Sequence, residues 1–201
     1  MSDKESDSES MPRRNAVSVS VVVGVLGGLV FVFVFPRGAL STLMHEVFHL
    51  PGPGAGTALM VGPLAIVLAV ASRLLTSWRA AGAVALAAFS ATMSAVQLLR
   101  PESFGEQKGK FGSVEFLLAM LLCAGALELG LRLTRRLKRA HALAVSGAAA
   151  NFLLLAFHFV VIFAQTAGWV KPGAAVLLLA ISLAAGALAG IILHLLRVGD
   201  R

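Results

Sequence analysis

Six stretches of this chain are apolar for long enough to cross a bilayer, and that repetition constrains the fold more than any other feature. They run over residues 16–35, 57–75, 80–99, 113–131, 142–165 and 172–196. A membrane-spanning helix needs about 20 mostly apolar residues, whereas a transmembrane strand alternates in character over about 10. The runs here are long and continuous, so helices are expected. The first is rich in Val and Phe, which favour strands in water. In lipid a lone strand leaves its backbone groups unpaired, and a helix does not. Hydrophobic residues make up 58% of the chain and charged residues 13%, against about 25% charged in soluble domains. This balance excludes a soluble globular enzyme and a disordered chain alike. The single cysteine, Cys123, excludes a disulfide framework and a multi-cysteine zinc site.

Lys and Arg orient such a bundle, because they stay on the cytoplasmic side. With the N-terminus inside, the inner segments hold twelve of them: Lys4, Arg13, Arg14, Arg73, Arg79, Arg132, Arg135, Arg136, Lys138, Arg139, Arg197 and Arg201. The outer segments hold five: Arg37, Arg100, Lys108, Lys110 and Lys171. Both termini are therefore expected in the cytoplasm, in a cell-membrane protein crossing six times. Residues 1–14 read as a polar, acidic, disordered tail, and 15–201 as the transmembrane domain. The net charge of +7 is read as a consequence of this orientation and of anchoring at anionic headgroups, not of nucleic-acid binding.

The first outer loop, residues 36–56, is too apolar for a plain aqueous connection. A short helix over 38–50, ended by Pro51 and followed by a Gly/Pro string, suits a re-entrant segment or a lid over a cavity. Within it, His45-Glu46-Val47-Phe48-His49 matches H-E-x-x-H. On a helix both histidines would share one face and could hold zinc or another transition metal, with Glu46 activating a bound water. A zinc protease of the intramembrane type also needs a third ligand, commonly an Asp from a later span. No Asp lies between Asp7 and Asp200, so Glu115 or His158 would have to serve. An intramembrane metalloprotease is thus the enzymatic alternative. No Walker-type phosphate loop is present.

Polar residues inside spans are costly and mark candidate sites. Asn151, His158 and Gln165 recur at seven-residue spacing on the fifth span, so one helix face is expected to carry all three. Ser90, Ser94 and Gln97 form a comparable face on the third. Gln97, Glu115, His158 and Gln165 fall in the outer half, at the depth of the loop histidines. Glu128 is expected to pair with Arg132 one turn on. Ala16, Ser20, Gly24 and Gly28 form a small-residue row on the first span, and Gly186 and Gly190 a shorter one on the last. Such rows let another helix approach closely, either within this bundle or from a partner subunit.

Three segments carry a resemblance to a known family. The row Ala16/Ser20/Gly24/Gly28, the Gly125-Ala126-Leu127-Glu128-Leu129 stretch followed by basic residues, and Ala187-Leu188-Ala189-Gly190 together resemble the substrate-binding S components of energy-coupling factor importers. The hydroxymethylpyrimidine/thiamine branch is the most similar. The resemblance implies that the Ala16 row docks on a transmembrane coupling subunit. It implies ATPase subunits supplied in trans, and it assigns the Gly/Pro string and Gly62-Pro63 to an outer gating loop and the next helix. It implies a non-enzymatic subunit that captures a vitamin-like small molecule and needs no cofactor. The absence of Tyr leaves little to stack a planar vitamin, and five histidines keep a metal-ion cargo open. The expected contact residues are His45, Glu46, His49, Gln97, Glu115, Asn151 and His158. A structural or assembly protein without a ligand is the third class.

Overall fold

The computed structural model describes residues 12–34, 54–99, 113–166 and 171–198. Within them lie six helices long and apolar enough to span a membrane, and no strand. Helix α1 is Arg13–Val34, α2 Thr57–Thr76, α3 Ala81–Leu99, α4 Val114–Leu133, α5 Arg139–Thr166 and α6 Pro172–Val198. Each boundary falls within three residues of the apolar run that foretold it. Helices α1 and α5 begin earlier than expected, at Arg13 and Arg139. A long basic side chain at a helix end can lay its stem on apolar surface and keep its head in water, so the first turn need not be apolar. The helix therefore takes in Arg13 and Arg14, which the sequence reading had left in the tail.

Local chemistry sets several ends. The Ser113 hydroxyl accepts a hydrogen bond from the Phe116 N–H at 3.2 Å and caps α4. Pro172, whose missing N–H is not needed in a first turn, opens α6. Helix α2 stops where Ser77 turns left-handed at φ 56°, and α3 starts four residues later.

Helix α2 is the axis of the bundle and packs against all five others. Half of its apolar window is buried, against 28–33% for the rest. On α1 side chains are sorted by size more than by polarity. The inward positions are Ala16, Ser20, Gly24, Gly28 and Phe31, while Val22, Leu26, Val30 and Phe33 are exposed. Lipid is as apolar as a protein interior, so burial of large apolar groups gives no preference for packing inward. Close backbone approach through small residues does. A Cβ on Gly24 would collide with the Ala85 carbonyl of α3, and one on Gly28 would lie 2.8 Å from Thr92 Cγ2. Gly24 and Gly28 of the Ala16 row therefore pack against α3 of the same chain, and Ser20 meets Ser72 of α2. The row's close-approach surface is thus used within the bundle, the first of the two roles its spacing allows.

The same device recurs at the other side. Gly147 of α5 meets Gly186 of α6 backbone to backbone, and Gly190 meets the Leu143 carbonyl. Gly130 of α4 faces Ser146 of α5. Between these crossings Phe89 fills the centre, edge-on to Phe31 with centroids 6.2 Å apart and tilted against Phe116 at 6.1 Å. The helices run up and down, so α1 starts and α6 finishes at one end. Among the described residues that end holds Arg13, Arg14, Arg73, Arg79, Arg132, Arg135, Arg136, Lys138 and Arg139, and we call it the basic end. There Arg13 stacks on Trp78 at 5.9 Å, which ties α1 to the turn between α2 and α3.

Candidate functional site

The end opposite the basic one is where sequence placed the site. His45, Glu46 and His49 lie outside the described residues, as does most of the 36–56 loop. The loop's last stretch does not. Gly54, with φ 109°, delivers the chain into α2, and a Cβ there would touch Leu155 and Phe159 of α5 at 3.0 Å. An L side chain is strained at that φ, so the close approach on α5 calls for glycine. Ala55 and Ala58 then pack with Leu155, Phe159 and Leu178 in a small apolar cluster.

The first turn of α2 is not an α-helix. Thr57–Val61 is π-helical, and the Gly62 N–H reaches back to the Thr57 carbonyl, not to Ala58. The next N–H in the π pattern would come from residue 63, which is proline and has none. The Ala58 carbonyl is thereby orphaned in a buried place. Asn151 of α5 satisfies it: its Nδ2 donates to Ala58 O at 2.8 Å and to Ser182 O of α6 at 2.8 Å. One fully buried amide thus holds α2, α5 and α6 together at the level of the irregular turn. Turns of this kind concentrate at functional positions. Among the described residues nothing donates to Asn151 Oδ1, which is walled in by Gly62, where there is no room for a Cβ beside it. Asn151 is therefore a positioning residue, and both protons of its amide are engaged by the main chain.

The seven-residue stripe does not share one environment. Asn151 is buried, His158 half-buried and Gln165 exposed. The helix is long, and its outer third leaves the cover of its neighbours. His158 has a polar or ring interaction of its own. On α3, Ser90 is buried and accepts, through its carbonyl, the Ser94 hydroxyl at 2.9 Å. Gln97, one turn on, is half-buried. Its Oε1 is shielded from solvent and accepts no hydrogen bond from the described residues. Glu115 sits half-buried in the first turn of α4, where a carboxylate suits the positive end of the helix. Helix α3 packs chiefly on α1, α2 and α4, and α5 chiefly on α2, α4 and α6. Gln97 and His158 therefore stand on either side of α4 and α2. Among the described residues, no group of three or more His, Cys, Asp and Glu is close enough to hold a metal ion.

At the basic end Glu128 pairs with Arg132, as its spacing foretold, with Arg132 Nε at 3.2 Å from Oε1. It also pairs with Arg73 of α2, a contact that no local spacing reveals. Ser20, Ser72 and Ala81 form a second unforeseen link: Ser72 Oγ lies 2.8 Å from Ser20 Oγ and 3.1 Å from the Ala81 carbonyl, joining α1, α2 and α3. A serine at the same depth in each of two neighbouring spans was the only signal. Cys123 is buried as a small apolar group. Comparison with protein-family models, with curated proteins and with solved structures yields no match.

Proposed function

We propose that the protein is a membrane-embedded solute-binding subunit of energy-coupling factor type. In this reading its basic end is cytoplasmic and it captures a small vitamin-like molecule or metal ion from the opposite side. The loop over residues 36–56 covers the site. His45, Glu46, His49, Gln97, Glu115 and His158 supply hydrogen bonds or ion contacts, and no bond is made or broken. Asn151 holds the frame on which the loop lands. Coupling and ATPase subunits act in trans.

The observation that carries this reading is Gln97 Oε1, a buried amide oxygen with no donor among the described residues, at the end opposite the basic one. Buried acceptors are nearly always paired, and an exception calls for a reason such as an ion or a ligand. The loop's return supports it: Gly54 rests on α5 one residue from His158, and His49 is within about 18 Å of Gly54 by chain length alone.

The test is native mass spectrometry and metal analysis of the gently solubilised full chain, alongside Gln97→Leu. Leucine removes the amide at similar volume, so the fold should be kept. Loss of one good hydrogen bond in a dry site should weaken retention of the co-purified solute by about tenfold. Unchanged solute retention in Gln97→Leu, or no solute and no associated subunits at all, would overturn the reading. One zinc per chain with proteolysis abolished by Glu46→Gln would replace it by the metalloprotease.

A further inference from the structure

A cavity of about 290 Å³ opens between α2, α3 and α4 at the basic end, away from the site just described. Its charged lining is Arg73, Arg79, Arg132 and Glu128. Among the described residues that line it Glu128 is the only acid, and Arg73 and Arg132 share it. Three guanidinium groups against one carboxylate leave two positive charges over. Arg79 is exposed, on the turn between α2 and α3. The rest of the lining is mainly apolar and includes Leu121, Leu127 and Leu131. Gly125 borders the space, and a Cβ on it would meet nothing within 4 Å. Packing therefore does not require glycine there, and what its absent side chain leaves is room.

We infer that this cavity binds the phosphate group of an anionic lipid, with part of the lipid's apolar body against the leucine wall. Guanidinium groups present planar, forked donors that match phosphate oxygens and stay charged at any physiological pH. Basic pockets between spans at the membrane surface suit lipid phosphates. A free phosphate would use the arginines but not the apolar wall, which is why the lipid is favoured as the source. The Arg73–Glu128–Arg132 arrangement would hold the two arginines in place, leaving Arg79 to close on the anion.

The experiment follows thermal unfolding of the full chain in a neutral detergent with added phosphatidylglycerol, phosphatidylcholine or inorganic phosphate. Phosphatidylglycerol should raise the unfolding temperature saturably, and the other two should not. Gly125→Leu should unfold as the parent does without lipid, because its side chain enters open space, yet lose the phosphatidylglycerol shift. Arg79→Gln, which breaks no ion pair seen here, should weaken the apparent affinity about tenfold. If Gly125→Leu proves unstable, Arg79→Gln decides alone. Full retention of the shift in Arg79→Gln, or in a stable Gly125→Leu, would overturn the site. Equal stabilisation by phosphatidylcholine would overturn the role of charge, and equal stabilisation by inorganic phosphate would overturn the lipid.

Discussion

A methyl group separates two glycines of this chain that look alike in sequence. On Gly62 it would run into Asn151 Oδ1, a buried and hydrogen-bonded amide that cannot swing away without releasing two carbonyls. On Gly125 it would meet nothing. Gly62→Ala is expected to destabilise the folded protein by about 1–3 kcal/mol, as over-packing does. Gly125→Ala should be neutral or stabilising by up to about 1 kcal/mol, the helix-propensity difference. Detergent-resistant thermal unfolding of the two variants side by side checks both. Little of this was legible beforehand. Gly62-Pro63 could be read as a break near a loop, but which buried side chain repairs the break depends on a helix about 90 positions away. Asn151 stands out in sequence as a polar residue in an apolar run, which suggests a ligand contact. Its partners are backbone atoms, and backbone leaves no mark in a composition.

Helices were the most readable level, because lipid imposes a length and forbids the alternatives. Their number and limits follow from apolar runs, and only the basic first turns of α1 and α5 were missed. Which helix touches which was not readable, since each span is apolar over most of its surface. The Ala16 row illustrates the limit: the small-residue spacing announces a close neighbour and is silent on whether that neighbour is α3 or another protein. Two predictions belong here. Asn151→Ala should destabilise the bundle by about 1–2 kcal/mol by orphaning the Ala58 carbonyl. Pro63→Ala restores an N–H that can take over that carbonyl, so the loss from Asn151→Ala should shrink in the Pro63→Ala background, as a double-mutant cycle reads directly. Additive losses would mean that the π turn and the amide are independent. At the α5–α6 crossing, Gly186→Val should prevent normal folding, while Gly173→Val, whose Cβ meets nothing within 4 Å, should be tolerated. Protease resistance of the two in membranes is a sufficient measurement.

At the scale of the molecule the bundle has two unlike ends. One gathers arginines around a cavity between α2, α3 and α4. The other gathers an irregular turn, a buried amide clamp and an amide oxygen with no donor among the described residues. The asymmetry of charge was legible in the sequence. The lateral arrangement of the outer polar groups was hidden, and Gln97 and His158 turn out to stand on helices that α4 and α2 separate. A shared site at that end therefore depends on the loop bridging them. Cross-linking measures this most directly: Glu46→Cys with His158→Cys, in a Cys123→Ser background, treated with a short bifunctional thiol reagent in native membranes. Glu46→Cys with Trp78→Cys, at the basic end, is the control. The account predicts efficient intramolecular cross-linking of the first pair and none of the second. Equal or absent cross-linking in both would contradict a loop that closes over α5, and with it the capture site.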